Sequence, residues 1–315
     1  MTRSKEYRLA GMRRSPWIPR TRGGWVRLAA GAVLLALVGY ALGSYAISRE
    51  LGSDVAAYWG AAERLRAGGP LYVSGAPNAS DLYRYAPWFA YAWVPLTFLP
   101  REAVTAGWVG LMIAAALASV LPLLVRGPTG WAAFAVLAPL QLEGAVFGNV
   151  QPLLVLMLLW GVERRSGPLW IALGASLKGV PVLLALVYAG RGEWWRAGLA
   201  AMLSAALVAP AFLFDLSRYS TQPGPNQLSL AAISTPLYLV VGVAAVVAAF
   251  LLARTRYAWL AGAVAMIGAL PRLLTYEIGF VLVGLVQPPS SRPASPPRRR
   301  NQAAPYSPPT TNRSA

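Results

Sequence analysis

The chain has 315 residues, 57% of them hydrophobic and only 12% charged, and a formal net charge of +17. Soluble domains carry roughly 25% charged residues, and with a mean hydropathy of +0.50 this composition points away from a soluble enzyme. There is no cysteine and no histidine, which excludes disulfides, thiolate or imidazole metal sites and any Ser-His-Asp triad. Acid–base chemistry must come from the eleven carboxylates, a tyrosine or a lysine.

In chain order, residues 1–24 form a basic lead with seven basic groups and one acid in its first 22 positions. No residue from Leu28 to Ser48 is charged, so 25–47 is expected as a first membrane span, too long and without a cleavage site to be a removed signal peptide. Residues 48–84 form a first polar loop. Within it Ser53 is placed to cap a helix running to about Ala67. The apolar positions Val55, Tyr58, Trp59, Ala62 and Leu65 recur at helical spacing, as in an amphipathic helix on a bilayer surface.

Apolar segments then follow at about 85–99, 102–125, 131–147, 149–163, 168–189, 194–214, 233–252, 256–270 and 272–287. Residues 215–232 form a second polar connection, and 288–315 is Pro/Arg-rich low complexity that reads as disordered. The expected fold class is all-α: a polytopic membrane bundle of about 8–10 transmembrane helices over 25–287, with a surface helix after the first span. Counting ten full spans puts Arg164 and Arg165 on the same side as Asp54, against the preference of basic residues for the cytoplasmic side. Re-entrant segments at 85–99 and 168–189, interrupted at Pro95 and at Gly179-Val180-Pro181, satisfy that preference. Basic ends place both termini in the cytoplasm.

Ionisable groups near apolar runs are functional candidates. Asp54 follows the first span directly. Glu143, Lys178, Arg272 and Glu277 lie within later apolar stretches, and Lys178 is one of two lysines against twenty-six arginines. Glu143 is a candidate partner for Lys178, Glu63 and Arg66 a candidate surface pair, and Asp54 itself a candidate helix cap.

Several segments in order carry a resemblance: SDVAAYWGAAERLRAGGPLY, LYRYAPWFAYAWVPLTFLP, FGNVQPLLVLMLL, GASLKGVPVLLALVYAGRGEWWRA, NQLSL and LPRLLTYEIGFVLV. Together they resemble glycosyltransferase family 87, integral-membrane enzymes of the C-type (GT-C) class that include polyprenyl-phosphate-mannose-dependent α-mannosyltransferases. The chain departs from that pattern at Ala86, Gly179 and Glu277, in the exchanged order of Asn149 and Gln151, and in an inserted Leu228.

The resemblance implies a hexosyltransferase of the cell envelope with Asp54 as catalytic base and Lys178, Arg272 and Arg84 on the donor phosphate. Tyr58, Trp59, Tyr83, Tyr85, Asn149, Gln151, Asn226, Gln227 and Glu277 would bind sugar or acceptor. It implies membrane lipids, a polyprenyl-phosphate sugar and a glycan or glycolipid acceptor as partners, without nucleic acid. No cofactor or metal site is implied, the lipid-linked sugar being a substrate. The competing readings are a small lipid or sugar transporter and a non-catalytic membrane protein.

Overall fold

The computed structural model of the chain describes residues 51–75, 79, 81–219 and 228–287, with scattered helical positions between Gly24 and Tyr40. The basic lead, most of the expected first span, Asn226, Gln227 and the tail 288–315 lie outside the described residues. Among the described residues the chain forms helices and short 3-10 turns and no strand.

The expected helix after Ser53 is α1, Val55–Arg66. Asp54 rather than Ser53 occupies the position before its first residue, and the Asp54 side chain makes no capping bond. The apolar face of α1 is not left for a bilayer. Tyr58 and Ala62 are fully buried, and the Tyr58 ring lies 5.1 Å from Phe89 and 5.2 Å from Trp93. The surface-helix expectation is thereby corrected: the stripe packs on the chain's own aromatic cluster, supplied by α2, Pro87–Trp93. Glu63 and Arg66 do not pair. The Arg66 guanidinium instead donates to the Thr97 carbonyl at 3.2 Å and to its hydroxyl at 3.0 Å, tying α1 to the 3-10 turn Val94–Phe98 that begins just before Pro95.

Helix α3, Arg101–Val120, continues as a 3-10 turn to Arg126. It is followed by α4 (Pro128–Val146), α5 (Gln151–Gly161) and α6 (Gly167–Lys178). The segment 168–189 breaks where expected, at Gly179 with φ +69°, and resumes as a 3-10 turn and α7, Ala185–Gly190. Then come α8 (Trp194–Val208), α9 (Leu230–Ile233), α10 (Thr235–Leu251), α11 (Ala258–Gly268) and α12 (Val281–Val286).

Among the described residues, three helical stretches are long and apolar enough to cross a membrane: Arg101–Arg126, Trp194–Leu213 and Thr235–Arg254. At about 1.5 Å per residue, twenty residues reach about 30 Å, the thickness of a hydrocarbon core. In the last two only 11% of the most apolar stretch is buried, and Phe212, Leu213, Val240 and Leu251 stand out from the protein. Apolar surface of that extent on a helix marks a face suited to lipid or to another protein.

Hydrogen bonds sort the helix ends into two groups. At one end, Arg196 donates to the Arg164 carbonyl, Arg191 to the Ala253 carbonyl at 2.9 Å and Arg254 to the Gly190 carbonyl at 3.0 Å. Arg126 reaches the Leu285 and Val286 carbonyls in the same way. We call this end the arginine rim. At the other end residues 147–149, 175–179, 208–212 and 270–277 converge on a cavity. Residues 167–190 therefore leave the rim, turn at Gly179 beside the cavity and return to the rim.

Candidate functional site

Two loops are clamped together before any side chain enters the cavity. The Gly52 amide donates to the Val146 carbonyl and the Asp54 amide to the Phe147 carbonyl, both at 3.0 Å. Trp108 Nε1 donates to the Gly148 carbonyl at 2.8 Å. Gly148 has φ +71°, and a Cβ there would stand 2.7 Å from Val55 Cγ2, so this close approach needs glycine.

The clamp sets Asn149 against Asp54. Asn149 Oδ1 accepts the Gln151 amide at 2.9 Å, which fixes the side-chain amide with its nitrogen facing the site. Its Nδ2 donates to Asp54 Oδ2 at 2.5 Å and to the Tyr276 hydroxyl at 3.2 Å. Asp54 precedes α1, outside the membrane-length helices. Burial pushes its carboxyl above the usual aspartate range, against the opposing effects of the Asn149 hydrogen bond and of Lys178 and Arg84. A carboxylate with a raised pKa is a stronger base once ionised.

Lys178 ends α6, where the helix dipole favours a cation. Its Nζ is 3.1 Å from Glu277 Oε1 and lies over the Tyr276 ring, 4.9 Å from the centroid. Glu277 Oε2 accepts the Leu274 amide at 2.9 Å, anchoring the pair to the 3-10 turn Thr275–Phe280. Glu143 is not the partner of Lys178, because its carboxylate is taken by the Thr275 hydroxyl. That correction follows from the chain course: Thr275 and Glu277 lie two residues apart and each takes one of the two neighbours, Glu143 and Lys178.

The cavity measures about 790 Å³ and has Asp54, Arg84, Asn149, Lys178, Arg272 and Glu277 on its wall. Tyr58 and Tyr85 also line it, joined hydroxyl to hydroxyl at 3.2 Å. Burial also raises the Tyr58 and Tyr85 phenols above their ordinary value, so they serve as neutral hydrogen-bonding groups.

Three expected residues stand elsewhere. Trp59 and Tyr83 are buried in the core away from the cavity, and the Tyr83 hydroxyl donates to the Ala86 carbonyl at 2.6 Å. Gln151 is fully buried at the first turn of α5, and its side-chain amide finds no hydrogen-bond partner among the described residues. Asn226 and Gln227 lie outside the described residues.

Conversely, Tyr276, Tyr72 and Tyr219 line the cavity although the sequence alone does not single them out as ligands. Tyr276 links the two halves of the charged cluster, through its hydroxyl to Asn149 and through its ring to Lys178. Tyr219 donates to the Arg84 carbonyl at 3.2 Å, and its ring centroid is 5.1 Å from that of Tyr72. The sequence signal for Tyr219 is its place in a polar connection between two apolar runs. For Tyr276 it is direct adjacency to Glu277.

Among the described residues no group of three or more carboxylates could hold a metal ion. No family model matches the chain, and no curated protein or solved structure is significantly similar to it.

Proposed function

We propose that the chain is a membrane glycosyltransferase that moves a hexose, mannose in the first instance, from a polyprenyl-phosphate donor to a lipid or glycan acceptor. One observation carries this reading. Asp54, Arg84, Lys178 and Arg272, far apart in sequence and expected there as base and phosphate holders, all line one cavity. The resemblance of the ordered segments to family 87 is the source of those expected roles and supports the same reading.

In the reaction, the acceptor hydroxyl attacks the anomeric carbon and Asp54 takes its proton. The bond from that carbon to the phosphate oxygen breaks, and the electron pair goes to the oxygen. Lys178, Arg84 and Arg272 stabilise the charge that builds there. A single displacement inverts the anomeric centre. Tyr58, Tyr85 and Asn149 offer hydroxyl and amide groups to the sugar, and Glu277 holds Lys178 in place until a phosphate competes for it.

The reading extends to a polytopic protein in the cell membrane, with both termini cytoplasmic and the cavity facing outward. It is supported by the seven basic groups of the lead and the five arginines after Pro288.

The test is Asp54→Asn in the full chain, reconstituted with polyprenyl-phosphate-mannose and a panel of acceptors. Transfer should fall by about 10²–10⁴-fold, the usual contribution of a positioned base, with donor binding retained. Transfer at the parental rate would remove Asp54 from the chemistry. Movement of the donor across the membrane without product would favour the transporter reading, to which the helix break at Gly179 beside the cavity is suited.

A further inference from the structure

The rim opposite the cavity has a chemistry of its own. Apart from Arg126, which is bound to the Leu285 and Val286 carbonyls, its arginines fall into two sets. Arg191 and Arg196 are partly buried and committed: Arg191 pairs with Glu163 at 3.1 Å and lies over the Trp259 ring, and Arg196 pairs with Glu193 at 2.6 Å and lies over the Tyr188 ring. Arg164, Arg165, Arg254 and Arg256 are exposed, and none of them is in an ion pair among the described residues; Arg256 lies over the ring of its neighbour Tyr257 and donates to its hydroxyl. Of the described carboxylates only Glu163 and Glu193 lie at this end, and both are already engaged.

The exposed set is held in one surface by the backbone bonds that join its three connections. Arg196 reaches the Arg164 carbonyl, and Arg254 reaches the Gly190 carbonyl. Exposed aromatic side chains flank it: Trp194 at 64% accessible, Trp195 at 77% and Tyr257 at 46%. Tryptophan and tyrosine beside arginine at the ends of lipid-length helices are the composition of a headgroup layer. Trp194 and Arg254 are themselves the rim ends of two of the three stretches long enough to cross a bilayer.

Described residues from both ends of the chain pack beside the rim. Of the described helical positions before Asp54, Gly31 lies against Leu124 beside the rim and Gly39 against Leu142 toward the cavity. At the other end of the chain, Val286 is bound by Arg126.

We infer that the arginine rim is a docking surface for the headgroups of anionic phospholipids, with Arg164, Arg165, Arg254 and Arg256 on the phosphates and Trp194, Trp195 and Tyr257 at the level of the glycerol. The surplus of positive charge next to a band of interfacial aromatics fits a headgroup that carries net negative charge and discriminates against a zwitterionic one. The inference is independent of the chemistry assigned to the cavity.

The test uses the full chain in a neutral detergent, with native mass spectrometry of the lipid retained from an equimolar mixture of phosphatidylglycerol and phosphatidylcholine. The parental protein should retain the anionic lipid with a preference of about five-fold or more. The triple variant R164Q/R165Q/R256Q spares the Arg254–Gly190 bond and should bring that preference close to parity, whereas R164K/R165K/R256K should keep it. Lead and tail are unchanged in all three proteins, so the difference reports the rim alone.

Millimolar inorganic phosphate should not displace the lipid, because a free anion gains nothing from the aromatic band. No preference in the parental protein, or the same preference in the glutamine variant, overturns the inference. Displacement by phosphate would overturn it too, by showing a simple anion site. Should the triple variant fail to fold, Arg165→Gln alone gives the same reading with a smaller drop.

Discussion

At the scale of single residues, the site is built around Asp54, a carboxylate buried more deeply than its chemistry alone would favour. Burial raises its folded-state pKa above the unfolded value, which is about 3.9. Below the unfolded pKa both states hold the proton, and the carboxyl has no pH-dependent effect on stability. Between the unfolded and the folded pKa the unfolded chain releases its proton more readily. The contribution of Asp54 to stability therefore falls as pH rises through that window.

Asparagine cannot ionise, yet its oxygen can still accept the bond from Asn149. Asp54→Asn should therefore melt at the same temperature as the parent or a few degrees above it at pH 7, and the gap should close near pH 4. Other carboxylates titrate equally in both proteins, so comparing the two melting curves isolates this one. A variant less stable than the parent at pH 7, with a deficit that shrinks toward pH 4, would show that ionised Asp54 is instead favourably placed. Lys178 and Glu277 answer the same problem differently. Their side chains are 11% and 7% accessible, and each makes the burial of the other tolerable, as isolated buried charges are not.

At the scale of elements, short breaks in the helices matter more to the site than the helices. Gly148 lets the loop after α4 lie against the loop before α1, and Gly179 turns the chain at the cavity. In Gly148→Ala the added Cβ meets Val55 Cγ2 and Gly52 Cα in a backbone region that costs L-residues about 1–2 kcal/mol before any clash. The variant should lose about 2–3 kcal/mol of stability, counting overpacking. Because the same loop positions Asn149, the transfer proposed above should fall further than stability explains. At Gly179 a Cβ would meet nothing within 4 Å, so alanine there should cost only the backbone term. A Gly148→Ala protein as stable as Gly179→Ala would show that the loop can shift and that the clamp is not needed.

These breaks are legible in the sequence. Gly179-Val180-Pro181 and Pro95 interrupt apolar runs, and their effect on helices is local. The ends of most apolar segments are legible for the same reason, as are Asp54, Lys178 and Glu277, charges where charge is costly. The burial of α1 is not. Val55, Tyr58 and Ala62 form the same stripe whether it meets lipid or protein, and only the position of Phe89 and Trp93 decides between them. The identity of the Lys178 partner is hidden similarly, because Glu143 and Glu277 are equivalent candidates until the chain course brings Thr275 to Glu143. Gln151 and Tyr83 are polar groups in the right segment but point away from the cavity, a matter of helix phase that a short motif does not specify.

At the scale of the whole molecule, the fold separates two chemistries along its length. The cavity gathers carboxylates and cations on one concave wall, and the rim gathers arginines on an exposed surface. Among the described residues, the three stretches long enough to cross a bilayer each have one end at the rim, so the separation can be tested as a difference between membrane sides. Because the chain has no cysteine, a single introduced thiol reports its own position without a background. Ser166→Cys sits in the exposed rim connection 162–166 beside Arg165. Leu228→Cys, at a position 52% accessible, precedes Ser229, whose hydroxyl donates to the carbonyl of the cavity residue Pro271.

In sealed vesicles of known orientation, a membrane-impermeant maleimide should label one of these positions from outside and the other only after permeabilisation. If the basic rim faces the cytoplasm, Leu228→Cys is the position open from the outer side of intact cells. Labelling of both from one side would mean that the three long helices do not cross together. It would also leave the cavity and the rim facing the same leaflet, and the outward-facing glycosyltransferase reading would have to be abandoned.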